Sequence, residues 1–527
     1  MSRLPTFALR DGRDAEHRFD ANAPALVCFV KHDCPTCVAA MPVLNALHAA
    51  FGDRWPWFVV GQTVDGNRAL EQEHDTRFAI IDDADLKVSF AWDVEIVPTL
   101  VLTGADGSAE RTLVGFVRDD WQALAAELAE RLGVAEPDVD WSALPAWRPG
   151  CGSLSVDPVH AARLQAEAEG SPLRARRIEI GRDDDEMEFL FDQGMTDGLP
   201  VVPPTPERVL RMLAGTARDP QEVVAVMPPN MGEATVEKIA INAVMAGCRP
   251  EYLPVVIAAV EAVCTDAYNI HGVMATTMGA SPVLVVNGPI RERLGMNMKL
   301  GALGQGNRAN ATIGRALRLV IRNVGGARPG GTERNTLGNP MKFTMCFPEW
   351  EERNPWGPLH VERGFAADDS VVTVFTMTSG PVLMVDQESR SASQLAGSFG
   401  LCLESAFNPK MHYVTDTLVV VCPEHVDTLT RDGWGKADIR RRIQEVTERP
   451  IRELVEDDRS ASGFKRAAAA KMSDAELDRR LPKFRSEKDI HIVVAGSDAG
   501  KFSGAFHGWA TGEIGSQPVS RKIEEVR

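Results

Sequence analysis

The stretch Ala25-Leu26-Val27-Cys28-Phe29-Val30-Lys31-His32-Asp33-Cys34-Pro35-Thr36-Cys37-Val38-Ala39-Ala40-Met41-Pro42 decides the reading of the chain's first part. A short apolar run, Ala25 to Val30, reads as a buried strand, and Cys37 to Ala50 carries helical periodicity. Two cysteines spaced Cys-x-x-Cys therefore stand where a strand hands over to a helix. The first sulfur there faces the positive end of the helix dipole and unpaired backbone N–H groups, which favour thiolate over thiol. The second lies one turn on, within reach of a mixed disulfide formed at the first. Zinc uses the same spacing but needs a second ligand pair. No such pair follows nearby, so no metal is assigned here.

Around this core the first 134 residues alternate strands and helices. Trp57–Gly61 and Phe78–Ile81 read as strands, and Thr99–Thr103 with Arg111–Phe116 as a hairpin turned at Asp106-Gly107. Trp121–Leu132 reads as an Ala/Leu/Glu-rich helix. With the opening Pro5-Thr6-Phe7-Ala8-Leu9-Arg10-Asp11-Gly12, the Cys34–Leu44 segment, the longer insertion from Gln62 to Phe78 and Val97-Pro98-Thr99, the region resembles thioredoxin-like domains of the TlpA/ResA type. The resemblance implies a dithiol/disulfide oxidoreductase with Cys34 as attacking thiol, Cys37 as resolving thiol and Pro98 as the cis-proline facing them. It implies no cofactor for the dithiol. Two positions depart from the pattern: Cys28 stands where many thioredoxins bury an acid, and Ala40 where the TlpA-like group often has one. Proton transfer then falls to water or to Lys31, His32 or Asp33.

Residues 135–185 read as a linker punctuated by Pro137, Pro145, Pro149 and Gly150, with a helix starting at Asp157-Pro158. Within it, Gly150-Cys151-Gly152-Ser153 offers an accessible thiol between flexible glycines, a candidate internal partner for the dithiol. The Cys-Gly-Ser run is similar to the redox motif of bacterial UGSC-type (seleno)proteins, with Leu154 in place of their final cysteine. Residues 186–527 resemble a large bacterial domain associated with that group, and read as a mixed α/β or α+β catalytic unit. Its strands are expected at Val283–Val286, Val371–Thr376, Leu418–Val421 and Ile490–Val494.

Three clusters in the large unit carry candidate chemistry. Gly301, Gly304 and Gly306 lead through Asn307 and Arg308 into a helix bearing Arg315, an expected anion site with a two-arginine clamp. In Asn354–Gly364, His360 and Glu362 are taken to share one face of an extended segment, as a base with its orienting acid or as metal ligands, with Arg363 completing a catalytic lip. Lys501 and Ser503 follow a strand and a glycine turn, where α/β sheets often hold ligands.

Bulk properties exclude some classes. The net charge of −17 disfavours nucleic acid as a partner, and no apolar run reaches the length of a membrane span. The beginning of the sequence shows no secretory signal, so a cytoplasmic protein is expected. Nine cysteines with one close pair do not read as a disulfide scaffold. The expected function is a thiol-disulfide oxidoreductase whose dithiol supplies reducing equivalents to a fused catalytic domain acting on a small molecule, itself regenerated by an external reductant. The alternatives are a lyase or hydrolase with a protective thioredoxin module, and a reductase that binds protein clients. The large unit's cofactor is left open.

Overall fold

A computed structural model of the chain describes residues 3–181, 184–512 and 515–524. They divide into two compact units, residues 1–178 and 179–527.

The first unit opens with a hairpin of β1 (Phe7–Arg10) and β2 (Glu16–Phe19). It continues through β3 (Leu26–Val30), α1 (Pro35–Phe51), β4 (Trp57–Gly61), α2 (Val64–His74), β5 (Ile80–Asp82), α3 (Lys87–Ala91), β6 (Ile96–Val97), β7 (Thr99–Thr103), β8 (Ala109–Val114), β9 (Phe116–Val117) and α4 (Arg118–Leu132). The central sheet has the order β5-β4-β3-β7-β8, with β3, β4 and β5 parallel and β7 and β8 antiparallel. This is the thioredoxin arrangement. Every residue of β3 is buried, which explains its unbroken apolar run: a central strand covered on both faces has no polar side to alternate. Phe29 sits in this core fully enclosed. Phe29→Ala is expected to cost about 3–5 kcal/mol through the cavity it leaves. Urea unfolding of the first unit measures this, and a loss below about 1 kcal/mol would contradict the packing described.

The stretch expected as a linker is structured instead. Residues 135–178 belong to the first unit. β10 (Trp147–Arg148) pairs with β9, and β11 (Cys151–Gly152) pairs with β6, before α5 (Pro158–Ala168) packs near α3. Two-residue strands in a Pro/Gly-rich stretch carry no periodicity, so composition alone reads as a loop.

The second unit is built on a seven-stranded mixed sheet. Its order is Cys346–Pro348, Ser281–Asn287, Val371–Val385, Phe502–Ala510, Thr415–Val421 and Ile490–Val494, with Val519–Lys522 added alongside Val371–Val374. Alternate residues feed two cores. Val419, Val421, Ile490 and Ile492 face helices Ala392–Leu403, Pro423–Arg431 and Lys436–Thr447, while Leu418, Val420 and Val493 join Phe347, Phe375 and Phe506. A separate layer packs Val236–Ala246 and Leu253–Val263 against Arg308–Asn323. No helix among the described residues is long and apolar enough to cross a membrane.

Candidate functional site

The dithiol sits where β3 delivers the chain to α1. Cys34 takes extended backbone angles as the N-cap, and Pro35 occupies the first helical turn, where its missing N–H costs nothing. The Cys37 N–H donates to Cys34 Sγ at 3.3 Å, and as a thiol Cys34 donates to the Val97 carbonyl at 3.4 Å. Hydrogen bonding from the Cys37 thiol, and then from Cys151 and the backbone, outweighs the effect of burial and brings the Cys34 thiol down to about 5. Burial and the neighbouring Cys34 push Cys37 strongly up. These opposite shifts are what a dithiol needs if one sulfur is to attack and the other to stay protonated in reserve. Cys28, beneath them in β3, is also pushed up by burial and is no substitute for an acid.

Across from the dithiol, the Val97–Pro98 peptide is cis. Strand β11 pairs antiparallel to the residues before it, Cys151 opposite Val97 and Gly152 opposite Ile96. Burial, followed by the neighbouring Cys34, raises the Cys151 thiol to about 11. The segment is held along its length. Thr36 Oγ1 donates to the Pro149 carbonyl at 2.5 Å, Arg148 to the Pro35 carbonyl at 3.3 Å, and Lys31 Nζ to the Gly152 carbonyl at 3.1 Å. Beyond Gly152, the Ser153 N–H donates to the Glu95 carbonyl, and buried Gln62 donates to Ser153 Oγ while accepting from the Leu154 N–H. Under this cover both Cys34 and Cys37 are 0% exposed. Of the polar neighbours, Lys31 is engaged by Gly152 and Asp33, and His32 by Glu73.

The large unit distributes its expected site residues differently. His360 and Glu362 lie on one short helix, Leu359–Glu362, preceded by Pro358, and residues two apart on a helix do not share a face. His360 is fully buried. Its Nε2 faces the Ala367 carbonyl at 3.4 Å, and Nδ1 lies 3.8 Å from Glu351. Glu362 is clamped by Lys436 at 3.0 Å and Arg440 at 2.5 Å, and Arg363 donates to Ser520 Oγ and the Pro518 carbonyl. The expected catalytic lip is therefore a packed corner.

The expected anion clamp is likewise spent. Asn307 caps its own helix by accepting from the Asn310 N–H, Arg308 donates to the Gly247 carbonyl, and Arg315 makes a two-pronged pair with Asp197. Gly301 and Gly306 have positive φ, so they and Gly304 serve the turns that bring the chain to this cap. Among the described residues Lys501 donates to the Gln387 carbonyl alone, at 3.4 Å.

Ser503 is part of a cluster that the sequence reading does not assemble. Its hydroxyl accepts from the Cys422 N–H at 3.1 Å and lies 2.6 Å from His425 Nδ1, and His425 Nε2 donates to the Asp386 carbonyl at 3.0 Å. Burial works against charge here, yet the mutual contact lowers the Cys422 thiol and raises the His425 imidazole, the directions of a thiolate–imidazolium pair. Cys422-Pro423-Glu424-His425 at a helix start is a legible signal for it. Both side chains are buried.

Comparison with known proteins reaches the first unit. No family model and no curated protein matches the chain. Among solved structures, a secreted Mycobacterium tuberculosis disulfide oxidoreductase homologous to E. coli DsbE is 22% identical, covering 24% of this chain and 95% of its own, with a TM-score of 0.20. The thioredoxin domain of a thiol-disulfide oxidoreductase from Bacteroides vulgatus is 17% identical over 24% of this chain and 94% of its own, with a TM-score of 0.21. StoA from Bacillus subtilis is 17% identical over 21% and 88%, with a TM-score of 0.19.

Proposed function

We propose that the first unit is a thiol-disulfide oxidoreductase in which Cys34 exchanges with the chain's own Cys151, and that the electron pair it handles serves a small-molecule reaction of the second unit. The supporting observation is the placement of Cys151 on a strand paired with Val97, whose carbonyl Cys34 Sγ meets at 3.4 Å. When Cys151 carries an external sulfur as a mixed disulfide, the Cys34 thiolate attacks Cys151 Sγ. The Cys34–Cys151 bond forms as the external sulfur leaves as a thiolate and takes a proton from water. Cys37 then loses its proton and attacks Cys34 Sγ, releasing the Cys151 thiolate. The net change is the Cys151 mixed disulfide reduced to the Cys151 thiolate and a free external thiol, with the Cys34–Cys37 pair oxidised, which an external thiol reductant reverses.

In the Cys37→Ser full-length protein the second step is blocked. Mild oxidation with diamide followed by non-reducing peptide mass spectrometry is expected to give a Cys34–Cys151 peptide as the main cross-link. Cys34 joined to another cysteine or another protein, with Cys151 free, overturns the internal exchange and favours a reductase of external clients.

A further inference from the structure

Helix Arg308–Asn323 places Arg315, Arg318 and Arg322 along one face, at helical spacings of three, four and seven. The loop that follows, residues 327–343, folds back over this face and leaves a cavity of about 430 Å³ lined by Arg318, Arg322, Arg334 and Lys342 together with Asp197 and Glu333. That volume suits a small metabolite. The two acids do not balance the cations. Asp197 is consumed by Arg315, and Glu333 is shared between Arg318 at 3.3 Å and Lys342 at 2.7 Å. Arg322, Arg334 and one charge of the Arg318/Lys342 pair are left over.

One of these cations also has a donor without an acceptor. Arg322 Nε is buried and has no hydrogen-bond partner among the described residues. Lys342 Nζ has the Glu333 carboxylate at 2.7 Å but shares it with Arg318. A buried, unpaired N–H on a charged group is costly, so a cavity wall that keeps one near an over-shared carboxylate leaves room for an acceptor to complete it. Burial lowers both Arg322 and Lys342 from their ordinary values, and a bound negative charge relieves that.

We infer that this cavity binds the carboxylate or phosphate group of a small anionic molecule, with Arg322 and Lys342 as its principal donors. The inference stands on the second unit alone and is independent of the dithiol reading. Calorimetric titration of the full chain with inorganic phosphate and, separately, with succinate tests it and distinguishes the two sources of oxygen ligand. Saturable one-to-one binding of at least one anion is expected, in the millimolar range or tighter at about −4 kcal/mol. Arg322→Gln and Lys342→Met are each expected to weaken it about tenfold or more. Arg308→Gln, on the same helix but roughly 20 Å from Arg322, removes an equal charge and is expected to change it less than twofold. Should Arg322→Gln fail to fold, Arg322→Lys, which keeps the charge but not Nε, provides the same comparison. Absence of saturation by either anion up to about 50 mM in the unmodified protein overturns the inference. So does an equal loss in Arg308→Gln and Arg322→Gln, which marks the effect as general surface charge.

Discussion

Cys34→Ser will reduce disulfide exchange by this protein to background, and the pH dependence lost with it will centre near pH 5. The reason lies in the ionisation that the fold imposes. A cysteine of ordinary acidity is only a few per cent thiolate at neutral pH, whereas Cys34, brought to about 5 by its hydrogen bonds, is almost wholly ionised there. The difference in ultraviolet thiolate absorbance between the unmodified protein and Cys34→Ser should rise with a midpoint near pH 5 and be flat above pH 7. Cys37 and Cys151, whose thiols are raised, contribute nothing in that range. The same shift is linked to stability. Cys34 is lowered in the folded state from about 9, so its contribution is fully present above pH 9 and is lost as pH falls towards 5. The reduced protein should therefore gain stability relative to Cys34→Ser across that interval as pH rises. A midpoint above about pH 8 would remove the electrostatic basis of the proposed nucleophile.

What was legible in the sequence follows the range of the interactions involved. Strand β3 and the Leu418–Val421 part of the second unit's sheet are continuous apolar runs because both faces are covered, and a run of neighbours is visible locally. Cys34 and Cys37 are equally local, since their chemistry arises from a helix start three residues long. The errors come from distant partners. Arg315 reads as a free anion ligand until Asp197, more than a hundred residues upstream, is seen to occupy it. His360 and Glu362 read as a pair on one face of an extended segment until Pro358 is seen to start a helix whose histidine is sealed inside and whose acid meets Lys436 and Arg440. The Arg318/Arg322 face is written in the helical spacing, but the cavity needs the returning loop that brings Lys342 and Glu333 to it. The segment around Cys151 is the clearest case. Its composition signals a loop, while its position over the dithiol depends on pairing with Val97 and on Thr36, Lys31 and Gln62.

That segment gives the second large effect, at Gly150. A Cβ added there would lie 2.2 Å from Ile96 Cγ2 and 2.6 Å from the Val97 carbonyl oxygen. Neither neighbour can yield cheaply, because one is the branch of a β-branched side chain and the other is backbone in the β6–β11 pair. Gly150→Val must therefore push β11 off β6. The hydrogen bonds from Thr36, Arg148 and Lys31 depend on that position and contribute about 0.5–1.5 kcal/mol each. Losing about 3 kcal/mol of closure raises the uncovered population roughly a hundredfold. Since Cys34 is 0% exposed beneath the closed segment, its alkylation by iodoacetamide should accelerate by a similar factor. The variant also moves Cys151 away from Cys34, which by itself raises the Cys34 thiol and slows the reaction below neutral pH. Measuring at pH 8, where Cys34 stays ionised through its larger interaction with Cys37, separates access from acidity. The diamide cross-link between Cys34 and Cys151 should fall in the same variant, because the two sulfurs no longer share a fixed strand. Faster alkylation with less cross-linking identifies the segment as both cover and partner of the dithiol. An unchanged alkylation rate would mean that the sulfur is reached by a route that does not pass Gly150, and the segment would then have no control over Cys34.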